Sequence, residues 1–522
     1  MSLNNVYLIG LDSGSTLTKA VIFDAKGHTV GVGHRQITQH HPQPQWVERD
    51  MDETWAASAA AIRAAIDDAS VNPRDITGVG VTAHGDGLYL LDTENQPLGR
   101  GIMSLDSRAM EVVTGWRQAG LEAPALALTG QFPSAFAPNA LLGWIQRHQP
   151  ERFRKIGSIL SCKDWLRFCL TGTLSTDFTE ASTAFTAVET QQYSREALAL
   201  FDLDSLWDCL PEVAFPTDIV GTISDSAAKQ TGLMPGTPVA SGLHDVTASA
   251  VGLGQVHNGD LTVVGGTFSI NEVFSDTPRP DKRWATRNGL APGQWLNMAI
   301  SPASASNIEW FLQQCCTLDP ISSRYLLDRL DTDLDQAFAD ESQIVYHPFL
   351  YGSPYEGSAS AAFLGVQGWH KRAHLLRAIL EGVVFNHRVH IDALAAHFHI
   401  QGCRLTGGGT STTRMSQLFA DTLGRTVEVT ATKEAAAFGA ALCAGVGIGL
   451  YKSLNVARSL ASNITQFHPD PATHDKREHD FARYLRTIEA LGPIWQDLNG
   501  GATSNIDIKM SETGNSPSKA QE

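Results

Sequence analysis

Tyr7-Leu8-Ile9-Gly10-Leu11-Asp12-Ser13-Gly14-Ser15-Thr16-Leu17-Thr18-Lys19-Ala20-Val21-Ile22-Phe23 runs an apolar strand into a polar Gly/Ser/Thr turn and out again as a second strand. Asp24-Ala25-Lys26-Gly27 then turns the chain back as a hairpin. Such a turn offers backbone N–H groups and hydroxyls to an anion, and Asp12 at its entry can hold a metal-bound water. An ordinary hairpin loop has the same local pattern. The pattern returns halfway along the chain. Asp260-Leu261-Thr262-Val263-Val264-Gly265-Gly266-Thr267-Phe268-Ser269 is again a strand feeding a Gly-Thr turn, with Ile270-Asn271-Glu272-Val273-Phe274 as the return strand. The echo implies two domains of like architecture, each giving one phosphate loop to a shared cleft.

Three further segments bear chemistry. Pro238-Val239-Ala240-Ser241 reads as a strand that ends in Gly242-Leu243-His244-Asp245, after which a small-residue helix begins. Asp245 would project into the cleft beside a helix N-terminus, where a hydroxyl-activating base would sit, although an N-cap is the commoner role of such an aspartate. Arg404-Leu405-Thr406-Gly407-Gly408-Gly409-Thr410-Ser411 places three glycines after a short strand, allowing backbone to approach a flat ligand such as an adenosine. The helix that follows carries Gln417 and Asp421 one turn apart; a plain strand-turn-helix is the alternative. In the first half, Asp50 is a plausible N-cap for a helix over Met51–Ala69. Strand Gly78–Thr82 then delivers Ala83-His84-Gly85-Asp86-Gly87, polar groups that face solvent or a ligand, with a turn-stabilising Asp beside Gly as the bland reading of Asp86. Ser104-Leu105-Asp106-Ser107-Arg108 opens another helix, with Asp106 as a cap and Arg108 as its partner in the structural reading. Thr432–Ala441 reads as a small-residue helix whose alanines serve close packing.

With these segments in order, the chain resembles the FGGY family of carbohydrate kinases. Ala361-Ala362-Phe363-Leu364-Gly365-Val366, followed after seven residues by His374-Leu375-Leu376-Arg377-Ala378-Ile379-Leu380-Glu381, matches the family's second signature in spacing. The resemblance implies an α/β fold of two actin-like, ribonuclease H-like ATPase domains flanking a catalytic cleft, one over 1–256 and one over 257–499. It implies ATP-dependent phosphorylation of a sugar hydroxyl with Asp245 as general base, a sugar pocket lined by His84, Asp86, Asp106, Arg108 and Asp245, and nucleotide contacts from Asp12, Ser13, Gly14, Ser15, Thr16, Lys19, Gly266, Thr267, Asn307, Gly407, Gly408, Gly409 and Gln417. Mg2+ would be placed by Asp12 and Asp245 through water, and domain closure would keep water from the γ-phosphate. Gln43–Met51, Ser301–Ser304 and His347–Ser353 are similar to the family's L-xylulose kinases, Gly85-Asp86-Gly87 and Cys162–Trp165 to its erythritol kinases, and the Met-His pair expected of D-xylulose kinases is missing at Gly85-Asp86. The implied acceptor is a ketopentose, L-xylulose first, with erythritol, glycerol, D-xylulose or ribulose as alternatives, and a non-catalytic sugar-binding regulator as the reading of another class. Phe268 stands where the family commonly has Ser, and Gly352-Ser353-Pro354-Tyr355 replaces its usual Gly-Glu-Arg turn.

Composition fits this reading. The 522 residues, 43% hydrophobic, suffice for two cores. A formal charge of −16 argues against nucleic-acid or anionic-membrane partners, though not against a nucleotide bound by local donors. Seven cysteines without metal-like spacing read as reduced thiols. The N-terminus lacks a basic, then apolar, export pattern, and no run approaches about 18 apolar residues, so a cytoplasmic enzyme without a membrane span is expected, a homodimer being left open. Residues 500–522 are rich in Gly, Ser, Asn, Thr and Lys and are expected to form a flexible tail.

Overall fold

The computed structural model describes residues 6–316, 334–353, 359–408, 412–432, 434–461 and 463–498; the expected tail and Gly409 lie outside the described residues. The first domain is built on β1 (Tyr7–Ser13), β2 (Leu17–Asp24), β3 (Thr29–Gln36), α1 (Met51–Ala69), β4 (Ile76–Ala83), α2 (Cys162–Thr171), β5 (Ile219–Thr222), β6 (Pro238–Ala240) and α3 (Asp245–Gly252). Its sheet runs β5-β6-β4-β1-β2-β3. The opening stretch forms the antiparallel β1–β2 pair, with Asp12 opposite Lys19, and β4 lies parallel to β1 on the other side. Because both faces of this sheet are covered, its inner strands are apolar runs rather than alternating ones. Helix α1 covers one face with Trp55, Ala59, Ile62, Ala65 and Ile66, at helical spacing. Its cap is the expected one: the Asp50 side chain accepts from the Glu53 N–H at 2.9 Å.

The second domain contains β7 (Asp260–Gly265), β8 (Ser269–Ser275), β9 (Ala285–Asn288), β10 (Trp295–Ser301), α4 (Ala305–Cys315), α5 (Arg372–Ala395), β11 (Gly402–Thr406), α6 (Thr413–Leu423), β12 (Val427–Val429), α7 (Ala435–Gly447), β13 (Thr465–Phe467) and α8 (Pro471–Leu498). Its sheet order is β9-β10-β8-β7-β11-β12-β13. Strand β7 is antiparallel to β8 and parallel to β11, as β1 is to β2 and β4. The order β10-β8-β7-β11-β12 thus repeats β3-β2-β1-β4-β6, and the echo in sequence is an echo in topology. Both phosphate-loop candidates are the turns of equivalent hairpins.

The two halves of the chain do not keep wholly separate cores. Helix α7 follows β12 in the second domain, yet it packs on the first domain's sheet, where Ala437, Phe438, Ala441 and Leu442 join Leu8, Val21 and Phe23 in one cluster. The approach is backbone to backbone: a Cβ on Gly10 would lie 1.8 Å from the Ala437 carbonyl oxygen, and one on Gly80 1.8 Å from that of Ala440. Only small residues permit such contact, which is why α7 reads as alanine and glycine. Among the described residues its helical turns start at Ala435, later than the expected run from Thr432.

One expected helix is corrected. Ser104–Arg108 is a turn, and the helix there spans Met110–Gln118. Asp106 Oδ1 accepts from the Arg108 backbone N–H at 2.9 Å, so the side chain satisfies locally the donor that a helix would have oriented.

Candidate active site

The cleft is lined by the ends of equivalent strands. On the first-domain side the turn Ser13–Thr16 is fixed from beneath by Arg49, a wholly buried side chain whose Nη2 donates to the carbonyls of Gly14 at 2.6 Å and Ser15 at 2.5 Å. With its carbonyls engaged behind it, the loop keeps Thr16 exposed toward the cleft. Ser13 is fully buried and belongs to the loop's support. Lys19 Nζ reaches Glu434, just ahead of α7, at 2.9 Å. Across the cleft Gly266 and the exposed Thr267 cap the β7–β8 hairpin, and the Gly266 and Thr267 carbonyls accept from Ala305 N–H (3.0 Å) and Ser306 Oγ (3.2 Å) at the start of α4. Gly407, at φ +95°, lets β11 end against the backbone of Gly265, and Gly408 is exposed beyond it.

Asp12, at the entry of the first turn, has a second aspartate, Asp245, near enough to act on its charge. Asp12, half-buried, has its pKa raised to about 7, by burial first and then by the negative charge of Asp245. Asp245 is the first residue of α3, not its cap, the cap position being His244. Its side chain is 34% exposed, enough for a ligand hydroxyl to reach. Burial works against its ionisation, but the hydrogen bond with His244 and the Val246 N–H at 2.8 Å hold its carboxyl below the usual range. At neutral pH it is a carboxylate.

Behind Asp245 the two domains meet in a buried polar cluster. Arg287, on β9, donates through Nη2 to Asp86 at 2.8 and 3.1 Å and through Nε to Gln131 Oε1 at 3.0 Å, and its Nη1 lies 2.9 Å from His244 Nε2. On the other side of the ring, His244 Nδ1 is 3.1 Å from Asp245 Oδ1. Burial would raise the carboxyl of Asp86; the guanidinium beside it instead brings its pKa down to about 2. Asp86 holds a left-handed backbone, φ 57°, and Gly87 follows at φ 74°. Asp86 and Arg287 open onto a cavity of about 380 Å3 between the domains, whose walls include Gln131, Phe268, Trp284 and Met298. Two buried acids lie close by. Glu180 is raised to about 8 and Glu272 well above its usual value, each chiefly by burial, and among the described residues neither oxygen of Glu272 has a hydrogen-bond partner.

Several expected ligand groups are otherwise engaged. His84 is buried, its Nε2 lies 3.1 Å from the Tyr89 hydroxyl, and burial together with the charge of Arg49 lowers its pKa to about 3. Asp106 and Arg108 are paired with each other, and Arg108 also donates to Glu48 at 2.8 Å and stacks 4.0 Å from the Trp46 ring; Asp106 caps no helix, the cap position being Ala109. Asn307 is fully buried and accepts from the Tyr346 hydroxyl at 2.8 Å. Gln417 donates to Asp421 at 2.9 Å and to the His468 carbonyl at 2.8 Å, not toward the glycine turn. Sequence reasoning missed Arg49 and Arg287. Arg49 had a signal, an arginine immediately before a helix cap; Arg287 had none.

Residues 7–252 match the N-terminal domain, and residues 261–448 the C-terminal domain, of the FGGY family of carbohydrate kinases. The chain belongs to this family. It is a sugar kinase, a phosphotransferase acting on an alcohol group. It is 34% identical over 492 residues to the L-xylulose/3-keto-L-gulonate kinase of Escherichia coli (strain K12), covering 93% of this chain and 97% of that protein. The erythritol kinase of Brucella abortus (strain 2308) is 28% identical over 95% of this chain and 98% of its own. Among solved structures, the xylulose kinase from Rhodospirillum rubrum superposes with a TM-score of 0.84 at 26% identity, covering 94% of this FGGY kinase and 99% of that chain. No helix among the described residues is long and apolar enough to cross a membrane.

Proposed function

We propose that this sugar kinase transfers the γ-phosphoryl group of ATP to a ketopentose, L-xylulose first, in the cytoplasm, with Asp245 as general base. The observation that carries the chemistry is the Asp245 carboxylate, ionised and reachable, linked through His244 to Asp86 on the cavity wall and near enough to Asp12 to act on its charge. Its oxygen takes the proton as the acceptor hydroxyl oxygen attacks phosphorus, a contribution of roughly 10²–10⁴-fold. The transition state is loose and its charge lies on the equatorial oxygens, so the backbone donors of Ser13–Thr16 and Gly266–Thr267 supply most of the remaining stabilisation. ADP departs with the electron pair of the broken P–O bond.

A magnesium ion fits the donor set. Asp12 and Asp245 are near enough for one to raise the other's pKa, a repulsion that a divalent cation would relieve. Among the described residues no third histidine, cysteine or carboxylate joins them in a ligand group, which suits an ion held through water and phosphate oxygens. When bound, it would neutralise phosphate charge.

The preference for L-xylulose rests on the 34% identity over nearly the whole chain. A polyol such as erythritol is the second reading, favoured by the 28% identity to an erythritol kinase. A panel of ketopentoses, aldoses and polyols, assayed by ADP release with mass detection of the phosphorylated product, decides between them. L-Xylulose is expected to give the highest kcat/KM. A clear preference for a tetritol overturns the assignment, and no turnover with any acceptor would leave only sugar binding.

A further inference from the structure

In the polar cluster behind Asp245 the second domain reaches the residues expected to hold the sugar. Strand β9 is an edge strand of the second domain's sheet, but it is hydrogen-bonded to the first domain residue after residue. The Thr286 N–H donates to the Gly130 carbonyl at 2.8 Å, the Asn288 N–H to Ser182 Oγ at 3.0 Å and the Asn288 Nδ2 to the Phe178 carbonyl at 2.9 Å. Arg287 lies between them. Its side chain is 8% exposed and uses all three nitrogens on first-domain partners: Asp86, His244 and Gln131. Nη2 bridges both oxygens of Asp86 while Nη1 and Nε reach His244 and Gln131, a spread over three partners that the single nitrogen of a lysine cannot reproduce. The ring it touches is also packed closely against Gly85, where a Cβ would lie 1.7 Å from His244 Nε2. A carboxylate carries about four acceptor positions, so Asp86 held by Arg287 still has capacity for ligand hydroxyls.

We propose that Arg287 is a positioning residue of the acceptor site: from the second domain it fixes the Asp86 carboxylate and the His244 ring, so that the sugar pocket is built jointly by the two domains at β9. The proposal rests on the placement of Asp86 at the sugar. Arg287 acts through Asp86 and His244, so its loss weakens acceptor binding while the nucleotide, held by the hairpin turns, is bound as before.

The test compares Arg287→Met, Arg287→Lys, Asp86→Asn and the double variant Asp86→Asn/Arg287→Met by steady-state kinetics on the full chain, with thermal melting of each. Arg287→Met is expected to raise the KM of the preferred acceptor roughly tenfold or more, the size of a lost charge-assisted pair, and to leave the KM of ATP nearly unchanged. Arg287→Lys keeps the cation and is expected to fall between; it also carries the test if the methionine variant does not fold. Asp86→Asn alone is expected to raise the acceptor KM, and the double variant to be no worse than the poorer single, since the two residues act as one unit. An acceptor KM unchanged in Arg287→Met beside a raised one in Asp86→Asn overturns the proposal and leaves Asp86 at the sugar. Parallel rises in both KM values, or multiplicative effects in the double variant, also overturn it. An unchanged acceptor KM in Asp86→Asn removes Asp86 from the sugar pocket, and the proposal falls with it.

Discussion

Asp245 shows how one side chain's surroundings select its work. Asp245 accepts the Val246 N–H, yet its carboxylate keeps a third of its surface and is ionised beside His244. Asp245→Asn removes the proton acceptor and little volume. It is expected to lower kcat by about 10²–10⁴-fold with ATP affinity, read by calorimetry, largely retained; near-native turnover in a folded variant would sink the assignment. Glu180 offers a test of opposite character. Burial raises its pKa from 4.5 to about 8, so between those values the folded protein keeps a proton that the unfolded chain has released. The stability that goes with this group is complete below pH 4.5 and is lost as pH rises toward 8, with a limiting slope of about 1.4 kcal/mol per pH unit. Glu180→Gln stays neutral, so denaturant melts should show its stability rising relative to the native chain as pH is raised through that window. A constant difference would place the carboxyl in contact with water or an unseen partner. Arg287 illustrates what could not be read in advance. Nothing in Ala285-Thr286-Arg287-Asn288 marks it, since its partners are Asp86, Gln131 and His244, more than forty residues away at the nearest.

At the scale of elements, the strands, the capped helix α1 and the twin hairpins were legible because each is written in local periodicity and turn chemistry: Asp50 ahead of Met51, Gly-Ser-Thr after Asp12, Gly-Gly-Thr after Val264. The helix expected to open at Ser104–Arg108 starts later, at Met110, for an equally local reason, the bond from the Arg108 N–H to Asp106. His84, Asn307 and Gln417 are polar residues at suitable points in the chain, but each has a partner, Tyr89, Tyr346 or Asp421, that no motif announces. Helix α7 was legible as small-residue packing, though not the sheet it packs on. Gly80→Ala puts a methyl 1.8 Å from the Ala440 carbonyl oxygen, and backbone must move to admit it. Overpacking of this kind costs roughly 1–3 kcal/mol or more. The variant is expected to melt several degrees lower, whereas an unchanged melting temperature would mean that α7 is free to shift.

For the whole molecule, the repeated topology explains why one cleft receives two equivalent turns, and why the polar residues between them come from strand ends of both halves. The crossing of α7 has a further meaning for how the chain can be divided. A cut between the halves near residue 256 matches the linear arrangement of the repeats but not the physical one, because the segment after it carries away a layer of the first domain's core, Ala437, Phe438, Ala441 and Leu442. A fragment of residues 1–256 would bare the sheet surface of Leu8, Val21 and Phe23 and is expected to be insoluble by itself. Co-expressed with a fragment of 257–522, it should regain both solubility and kinase activity by complementation, since the missing layer can be returned in trans. A soluble, cooperatively melting 1–256 fragment would show that the layer is dispensable. In this sense the enzyme is not two beads on a string but a clasp, in which the second half fastens itself by lending the first a piece of its interior.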